Sequence, residues 1–169
     1  MVSETFVYVK VKQELLNRGW TAIAGDPPRG TDLPPLEVKQ PDVVHSLKKN
    51  ANSIIFDLVF GKDNQILLIE CKDSRSKIGP DIEKLRKVRQ SREWRDSLVN
   101  SLQSGPFLKR YSCDIGSIKT GGALTPCVAH PNGFQSGIEE FVQFRATEEG
   151  VTISVGTQVS NRVKTNLEM

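Results

Sequence analysis

The sequence predicts a mixed α/β fold in which a central mixed β-sheet of about five strands is flanked by helices. Two apolar, β-branched runs on either side of residues 61–64 are typical of a β-hairpin, and a second alternating pair surrounds residues 148–150. Apolar residues recur at helical spacing near the N-terminus and again after residue 80. The resulting order of helix, strand, hairpin, helix, strand and hairpin implies a mixed sheet against which helices pack.

The first element is a predicted helix from Val2 to Arg18, because apolar residues recur there every three or four positions. Ser3 suits its N-cap and Gly19 suits its end, since these residue types satisfy or terminate the free backbone groups of a helix. A short strand is expected next, from Trp20 to Ala24.

Residues 25–52 are the least regular part of the chain, because five prolines interrupt any long element. We expect a short extended piece near residues 36–39 and one or two helical turns near residues 43–49. A loop of this length inside a compact domain is often functional.

The central hairpin is predicted to run from Ser53 to Lys72 with a four-residue turn, and a helix is expected from Pro80 to Gln103. The chain is predicted to form one domain of residues 1–169, with its core at about residues 4–157. The remaining predicted elements are a strand at residues 123–129 with His130 in the turn after it, a hairpin of residues 141–147 and 151–157, and a frayed polar tail at residues 158–169.

Composition and charge narrow the possible classes of protein. The chain has 169 residues, no run of eighteen apolar residues and no apolar stretch at its N-terminus, so we expect neither a membrane span nor a secretory signal. Its three cysteines, an odd number without a CxxC pair, favour free thiols in a reducing cytoplasm. A net charge of +3 permits a nucleic-acid partner without requiring one.

Two acids stand in apolar strands of the central hairpin. Asp57 lies within the run 53–60, and Glu70 directly follows four apolar residues. An unpaired buried charge is unfavourable, so these acids need a partner, which can be a divalent metal or a lysine such as Lys72. Because side chains alternate along a strand, Glu70 and Lys72 share a face, and Asp57 is expected opposite Leu68, one diagonal step from Glu70.

Two carboxylates from neighbouring strands can bind one Mg²⁺ and leave several of its waters in place, and Mn²⁺ is expected to substitute for it. We therefore predict a metal site formed by Asp57, Glu70 and the backbone carbonyl of Cys71. Lys72 completes a set suited to phosphodiester hydrolysis, which needs an oriented water and a positive charge near the developing negative charge. Lys72 can orient the water, help to deprotonate it or contact the phosphate, and we favour orientation and charge stabilisation because nearby acids keep a lysine protonated.

An Asp, about a dozen residues and then Glu-x-Lys on a hairpin, here Asp57, Glu70 and Lys72, resembles the motif of the PD-(D/E)xK nuclease superfamily. The order of elements over residues 4–157 also looks like the core of that superfamily. The resemblance implies a restriction-endonuclease-like core and a Mg²⁺-dependent endonuclease that hydrolyses duplex or branched DNA as a homodimer. Members often carry a further glutamate on the first helix, and Glu14 is the matching candidate.

The chain departs from the superfamily pattern at the proline–aspartate pair. That pair occurs literally at Pro41–Asp42, whereas Asp57 follows a phenylalanine. Asp42 lies on no clear strand and suits the start of a short helix or turn, where an acid is favourable. We therefore assign the metal to Asp57.

Three alternatives stay open. Glu70 and Lys72 can form an ordinary surface ion pair with Asp57 at a bulge, since same-face acid–base pairs are common and weak. The same fold can also be a catalytically weak or inactive DNA-binding module. An RNA endonuclease would need the same three residues.

Positive charge is concentrated after the motif, because residues 75–95 contain eight lysines and arginines against three acids. We predict nucleic-acid contacts from Arg75 and Lys77, which follow the motif, and from Arg89 and Arg92, which fall near the apolar side of the predicted helix. The alternative is a solvated helix face with no nucleic-acid contact.

Overall fold

The computed structural model describes residues 2–27, 33–41 and 53–168. Within these ranges a six-stranded mixed sheet is covered by helices, which confirms the predicted α/β class. The helices are α1 (Glu4–Asn17), α2 (Gly79–Gln90), α3 (Arg92–Ser104), α4 (Phe107–Arg110), α5 (Ile115–Thr120) and α6 (Asn161–Glu168). The strands are β1 (Thr21–Gly25), β2 (Glu37–Val38), β3 (Ile54–Ile55), β4 (Leu58–Lys62), β5 (Gln65–Cys71), β6 (Leu124–His130), β7 (Val142–Thr147) and β8 (Gly150–Val155).

The main sheet has the strand order β1-β4-β5-β6-β7-β8, one strand more than the predicted five. β1, β4 and β5 pair antiparallel, β6 and β7 continue parallel to β5, and β8 returns antiparallel. A parallel neighbour requires a crossover, which the helices α2 to α5 supply between β5 and β6. The carboxyl ends of β5, β6 and β7 therefore lie together at the same end of the sheet.

The hairpin of β4 and β5 turns over two residues, not four. Asp63 and Asn64 both have positive φ, 51° and 58°, which is the backbone of a type I′ turn. Aspartate and asparagine tolerate this region better than other non-glycine residues. The expected register is therefore wrong by two residues, and Leu58 pairs with Ile69.

The predicted strand from Ser53 to Phe60 is interrupted at Asp57. Its first part, β3, pairs with β2 in a separate two-stranded sheet, and only β4 belongs to the main sheet. β1 ends at the same level, because Gly25 pairs with Leu58 and the N–H of Asp26 donates to the backbone carbonyl of Asp57 at 2.9 Å. Asp57 thus occupies a bend at the end of the sheet, just before β4 begins.

Alternation along β5 divides the core into two layers. Ile66 and Leu68 pack into the layer beneath α2 and α3, whereas Leu67, Ile69 and Cys71 pack into the layer beneath α1. Glu70 follows Ile66 and Leu68 in this alternation, so it points to the side covered by α2. Both layers exclude water. Glu70 is therefore an acid at the end of a buried and largely apolar strand.

The first helix forms where it was predicted. Ser3 accepts a hydrogen bond from the N–H of Phe6, and Gly19 has φ +84° directly after the helix. The predicted helix from Pro80 to Gln103 is two helices, because Ser91 leaves the helical conformation and caps α3 by accepting from the N–H of Trp94.

The tail is not frayed. It forms α6, which buries Val163 and Leu167 and accepts a hydrogen bond from the indole of Trp20 on the carbonyl of Asn166 at 3.2 Å. The turns expected at residues 43–49, and Asp42, lie outside the described residues. In the part of the chain that is described, no helix has the length and apolarity needed to cross a membrane.

Candidate active site

The candidate site lies where β5 ends and β4 begins. Extending the observed pairing of Leu58 with Ile69 by one residue sets Asp57 directly opposite Glu70. Directly opposed residues of an antiparallel pair share a face, so the two carboxylates meet more closely than the expected diagonal arrangement would allow. Lys72 follows two residues after Glu70, just beyond the strand.

A backbone hydrogen bond fixes the carboxylate of Asp57. Its Oδ2 accepts from the N–H of Cys71 at 2.7 Å. Because β4 starts only at Leu58, this side chain replaces the ladder partner that Cys71 would otherwise have. The N–H and C=O of a strand residue point to the same side, so the carbonyl of Cys71 is directed towards Asp57 as well. The structure thus brings together the three predicted oxygen donors.

Glu70 is a buried acid, with 2% of its surface exposed. Burial raises its pKa well above the ordinary value, and the Asp57 carboxylate within hydrogen-bonding reach raises it further. The ammonium of Lys84, on the second turn of α2, contacts Glu70 Oε1 and opposes this rise. The buried Glu70 therefore has an acidic neighbour, Asp57, and a cationic partner, Lys84.

Lys72 is held between two further acids. Its Nζ lies 3.7 Å from Glu4 Oε1 and 3.7 Å from Asp81 Oδ2. Burial lowers the pKa of Lys72, but Asp81 and Glu4 outweigh this effect, so the pKa is raised overall. A lysine with a raised pKa stays protonated at neutral pH, which favours charge stabilisation over proton abstraction.

The glutamate of α1 that lies beside Lys72 is Glu4, and the structure does not bring the predicted Glu14 to the candidate site. Glu4 lies in the first turn of α1, where burial and the charge of Asp57 raise its pKa. Glu14 lies ten residues later, about 15 Å along the helix axis. There it forms an ion pair with Arg18, with Oε2 and Nε 2.7 Å apart.

Sequence reasoning missed Asp81 and Lys84. They are three residues apart at the start of α2, a spacing that puts both on one face of a helix. Lys84 Nζ lies 3.6 Å from Asp81 Oδ1, and Asp81 is only 6% exposed. Their spacing was visible in the sequence, but the face they occupy depends on how α2 packs against β5.

The charges of the site are unbalanced. Four carboxylates, those of Glu4, Asp57, Glu70 and Asp81, surround two ammonium groups, those of Lys72 and Lys84. When all six groups are ionised, negative charge exceeds positive charge. Burial accordingly raises the pKa of Asp81 although both lysines oppose this rise. Protonation of one acid or binding of a further cation would relieve this imbalance.

The oxygen donors of Asp57, Glu70 and Cys71 are of the type that Mg²⁺ accepts. Among residues 2–27, 33–41 and 53–168, no group of three or more His, Cys, Asp or Glu side chains is arranged to hold a metal ion. Mg²⁺ retains several waters and commonly uses only one or two carboxylates. Asp57, Glu70 and the Cys71 carbonyl meet that requirement, and the ammonium already against Glu70 shows that a cation is accommodated there.

The predicted nucleic-acid contacts divide into two pairs. Arg75 and Lys77 lie in a short 3₁₀ turn just after Lys72, where Lys77 pairs with Asp73 at 2.9 Å. Arg89 donates to the carbonyl of Leu124, at the opposite edge of the sheet. Arg92 is exposed at the start of α3. The structure does not bring Arg89 and Arg92 to the site, because α2 runs away from it along the sheet.

His130 ends β6 inside the protein and not in a turn. It is fully buried, and its Nδ1 accepts from the N–H of Asn132 at 3.2 Å. Burial lowers its pKa, and the charge of Arg75 lowers it further. A neutral His130 therefore stabilises the loop after β6, beside the candidate site, through this hydrogen bond.

Comparison of the chain with protein-family models, with curated proteins and with solved structures found no match.

Proposed function

We propose that the protein is a Mg²⁺-dependent endonuclease that hydrolyses phosphodiester bonds of DNA. The observation that carries the proposal is the side-by-side placement of the Asp57 and Glu70 carboxylates, with Lys72 next to them at the end of β5. A surface ion pair of Glu70 with Lys72 is disfavoured, because Glu70 pairs with Lys84 and Lys72 pairs with Glu4 and Asp81.

The order of strands supports the proposal. The antiparallel strands β1, β4 and β5 follow α1, and a helical crossover leads to the parallel strand β6. This is the arrangement that the resemblance to the PD-(D/E)xK superfamily implies for a restriction-endonuclease-like core. Glu4 on α1 supplies the additional glutamate that many members carry.

Each side chain has a role that its surroundings favour. Asp57, Glu70 and the Cys71 carbonyl would hold the metal, which when bound supplies Lewis acidity and an acidic water. Lys72 stays protonated, so it orients the nucleophile and stabilises charge that develops on the phosphate. Glu4 and Asp81 contact its ammonium from two sides and so limit its movement.

Three further expectations belong to the same proposal. Mn²⁺ substitutes for Mg²⁺, because both accept oxygen ligands in octahedral geometry. Two copies of the chain act together on duplex DNA, since one site cuts one strand. Free buried thiols at Cys71, Cys113 and Cys127 support a reducing compartment, the cytoplasm.

The experiment is a nicking assay on supercoiled plasmid DNA, with Mg²⁺ or with a chelator, alongside a single-stranded RNA of similar length. The proposal expects Mg²⁺-dependent conversion of the supercoiled form and little cleavage of RNA. Cleavage of RNA alone would identify an RNA endonuclease. Binding of DNA without any cleavage would identify a binding module and contradict the proposal.

A further inference from the structure

The contact between Lys84 and Glu70 has a consequence for how a metal enters. Lys84 Nζ lies against Oε1 of Glu70, whose carboxylate is assigned to the metal. An ammonium group and a divalent ion repel each other at such short range. A metal bound to the Glu70 carboxylate therefore disfavours the contact between Lys84 and Oε1.

A place for the displaced ammonium already exists. Asp81 Oδ1 lies 3.6 Å from Lys84 Nζ, whereas Asp81 Oδ2, which is buried and accepts no hydrogen bond within the described residues, lies 3.7 Å from Lys72 Nζ. A short rotation of the Lys84 side chain exchanges one carboxylate for the other. Its side chain is 29% exposed, so it is free enough to rotate.

We propose that Lys84 is a positioning residue that serves as a built-in counter-ion of Glu70, which a divalent metal displaces towards Asp81. The inference rests on the proposed function only in that it places the metal at Glu70. Lys84 keeps the buried acid paired while the metal is absent, and its displacement lowers the apparent affinity for the metal.

Titration with Mn²⁺, followed by calorimetry and by the electron paramagnetic resonance of free Mn²⁺, measures this competition without requiring activity. Lys84→Met keeps the length of the side chain but removes the charge. We expect it to bind Mn²⁺ at least about tenfold more tightly than the wild type, since a hydrogen bond between charged groups no longer has to be broken. Lys84→Arg should bind no more tightly than the wild type.

Two control variants distinguish the direct contact of Lys84 with Glu70 from the general effect of removing a nearby positive charge. Lys72→Met removes a charge that pairs with Glu4 and Asp81, not with Glu70, so its gain in affinity should be about threefold or less. Lys87→Met changes an exposed lysine of the same helix and should leave the affinity unchanged. Equal gains for Lys84→Met and Lys72→Met would overturn the proposal.

Asp81→Asn supplies a second test with the opposite sign. Without the receiving carboxylate, displacement of Lys84 is harder, so we expect Mn²⁺ binding about threefold to tenfold weaker. If Lys84→Met does not fold, judged by circular dichroism, Lys84→Gln and Asp81→Asn still decide the matter. Unchanged affinity in both would overturn the proposal.

Its failure can be distinguished from failure of the proposed function. Plasmid nicking with no effect of Lys84 substitution on Mn²⁺ affinity would remove the counter-ion role alone. Tighter binding in Lys84→Met without nicking by the wild type would keep the metal site and remove the nuclease. Absence of Mn²⁺ binding in every variant would contradict both.

Discussion

The carboxylate of Asp57 accepts a hydrogen bond of 2.7 Å from the backbone N–H of Cys71. This bond joins the bend before β4 to the last residue of β5, and so holds two acids together where the sheet ends. Asp57 thus has a structural role, as an acceptor, and a chemical role, as a charge. Substitutions can separate the two.

Asp57→Asn should keep the acceptor but lose the charge. We expect wild-type thermal stability or slightly more, because the repulsion between Asp57 and Glu70 is removed, together with loss of Mn²⁺ binding and nicking. Asp57→Ala should lose the acceptor as well and cost about 1–2 kcal/mol of unfolding free energy. Denaturant unfolding and calorimetric titration measure the two effects, and metal binding by Asp57→Asn at wild-type affinity would contradict the assignment.

The raised pKa of Glu70 predicts a pH-dependent stability. Between the ordinary value of 4.5 and the raised pKa, the folded state binds more protons than the unfolded state, so the free energy of unfolding falls as pH rises through this window. Glu70→Gln carries no such proton, so its stability relative to the wild type should increase with pH. We expect this advantage of Glu70→Gln to be largest at the alkaline end of the range, near pH 8, in metal-free buffer.

Thermal melts of the wild type and Glu70→Gln from pH 4 to 8 measure this difference. Glu149→Gln, an exposed acid in the turn between β7 and β8, is the control and should parallel the wild type. Parallel curves of stability against pH for all three proteins would contradict a raised pKa of Glu70 in the folded state.

Glu4 and Glu14 form a matched pair for testing the contribution of α1. Glu4→Gln loosens the ammonium of Lys72, and we expect nicking to slow about fivefold. Glu14→Gln breaks only the ion pair with Arg18 and should leave nicking unchanged. Initial rates with saturating Mg²⁺ compare them, and the reverse order of effects would restore Glu14 as the site residue.

The basic residues predict a difference in salt dependence. Arg75→Ala with Lys77→Ala removes charge beside the site and should flatten the slope of log affinity against log salt by about 1.8 for duplex DNA. Arg89→Ala with Arg92→Ala, at the far edge of the sheet and the start of α3, should change the slope little. Fluorescence anisotropy from low to moderate salt measures both, and a larger change for the second pair would reverse the proposed orientation of DNA.

Much of the fold was predictable because it depends on local pattern. The N-cap at Ser3, the terminating Gly19 and the two hairpins follow from residue types at fixed spacing. The register of the central hairpin was not, because the four residues after Phe60 permit either turn length. The observed turn uses Asp63 and Asn64 alone, since both adopt positive φ.

The three central residues of the candidate site were predictable from the sequence, and the residues around them were not. Asp57, Glu70 and Lys72 are close in sequence, so strand geometry alone brings them together. Glu4, Asp81 and Lys84 reach the site through the packing of α1 and α2 on the sheet. Arg89 does not reach the site because α2 runs away from it along the sheet, and Arg92 does not because the break at Ser91 places it on a separate helix.

The most direct test of the central claim is single-turnover cleavage of plasmid DNA by Lys72→Ala, with DNA binding measured on the same preparation. Because Lys72 is held protonated next to the paired acids, its loss should slow cleavage by about 10²- to 10³-fold while binding stays within about threefold of the wild type. Cleavage by Lys72→Ala at the wild-type rate would contradict the account.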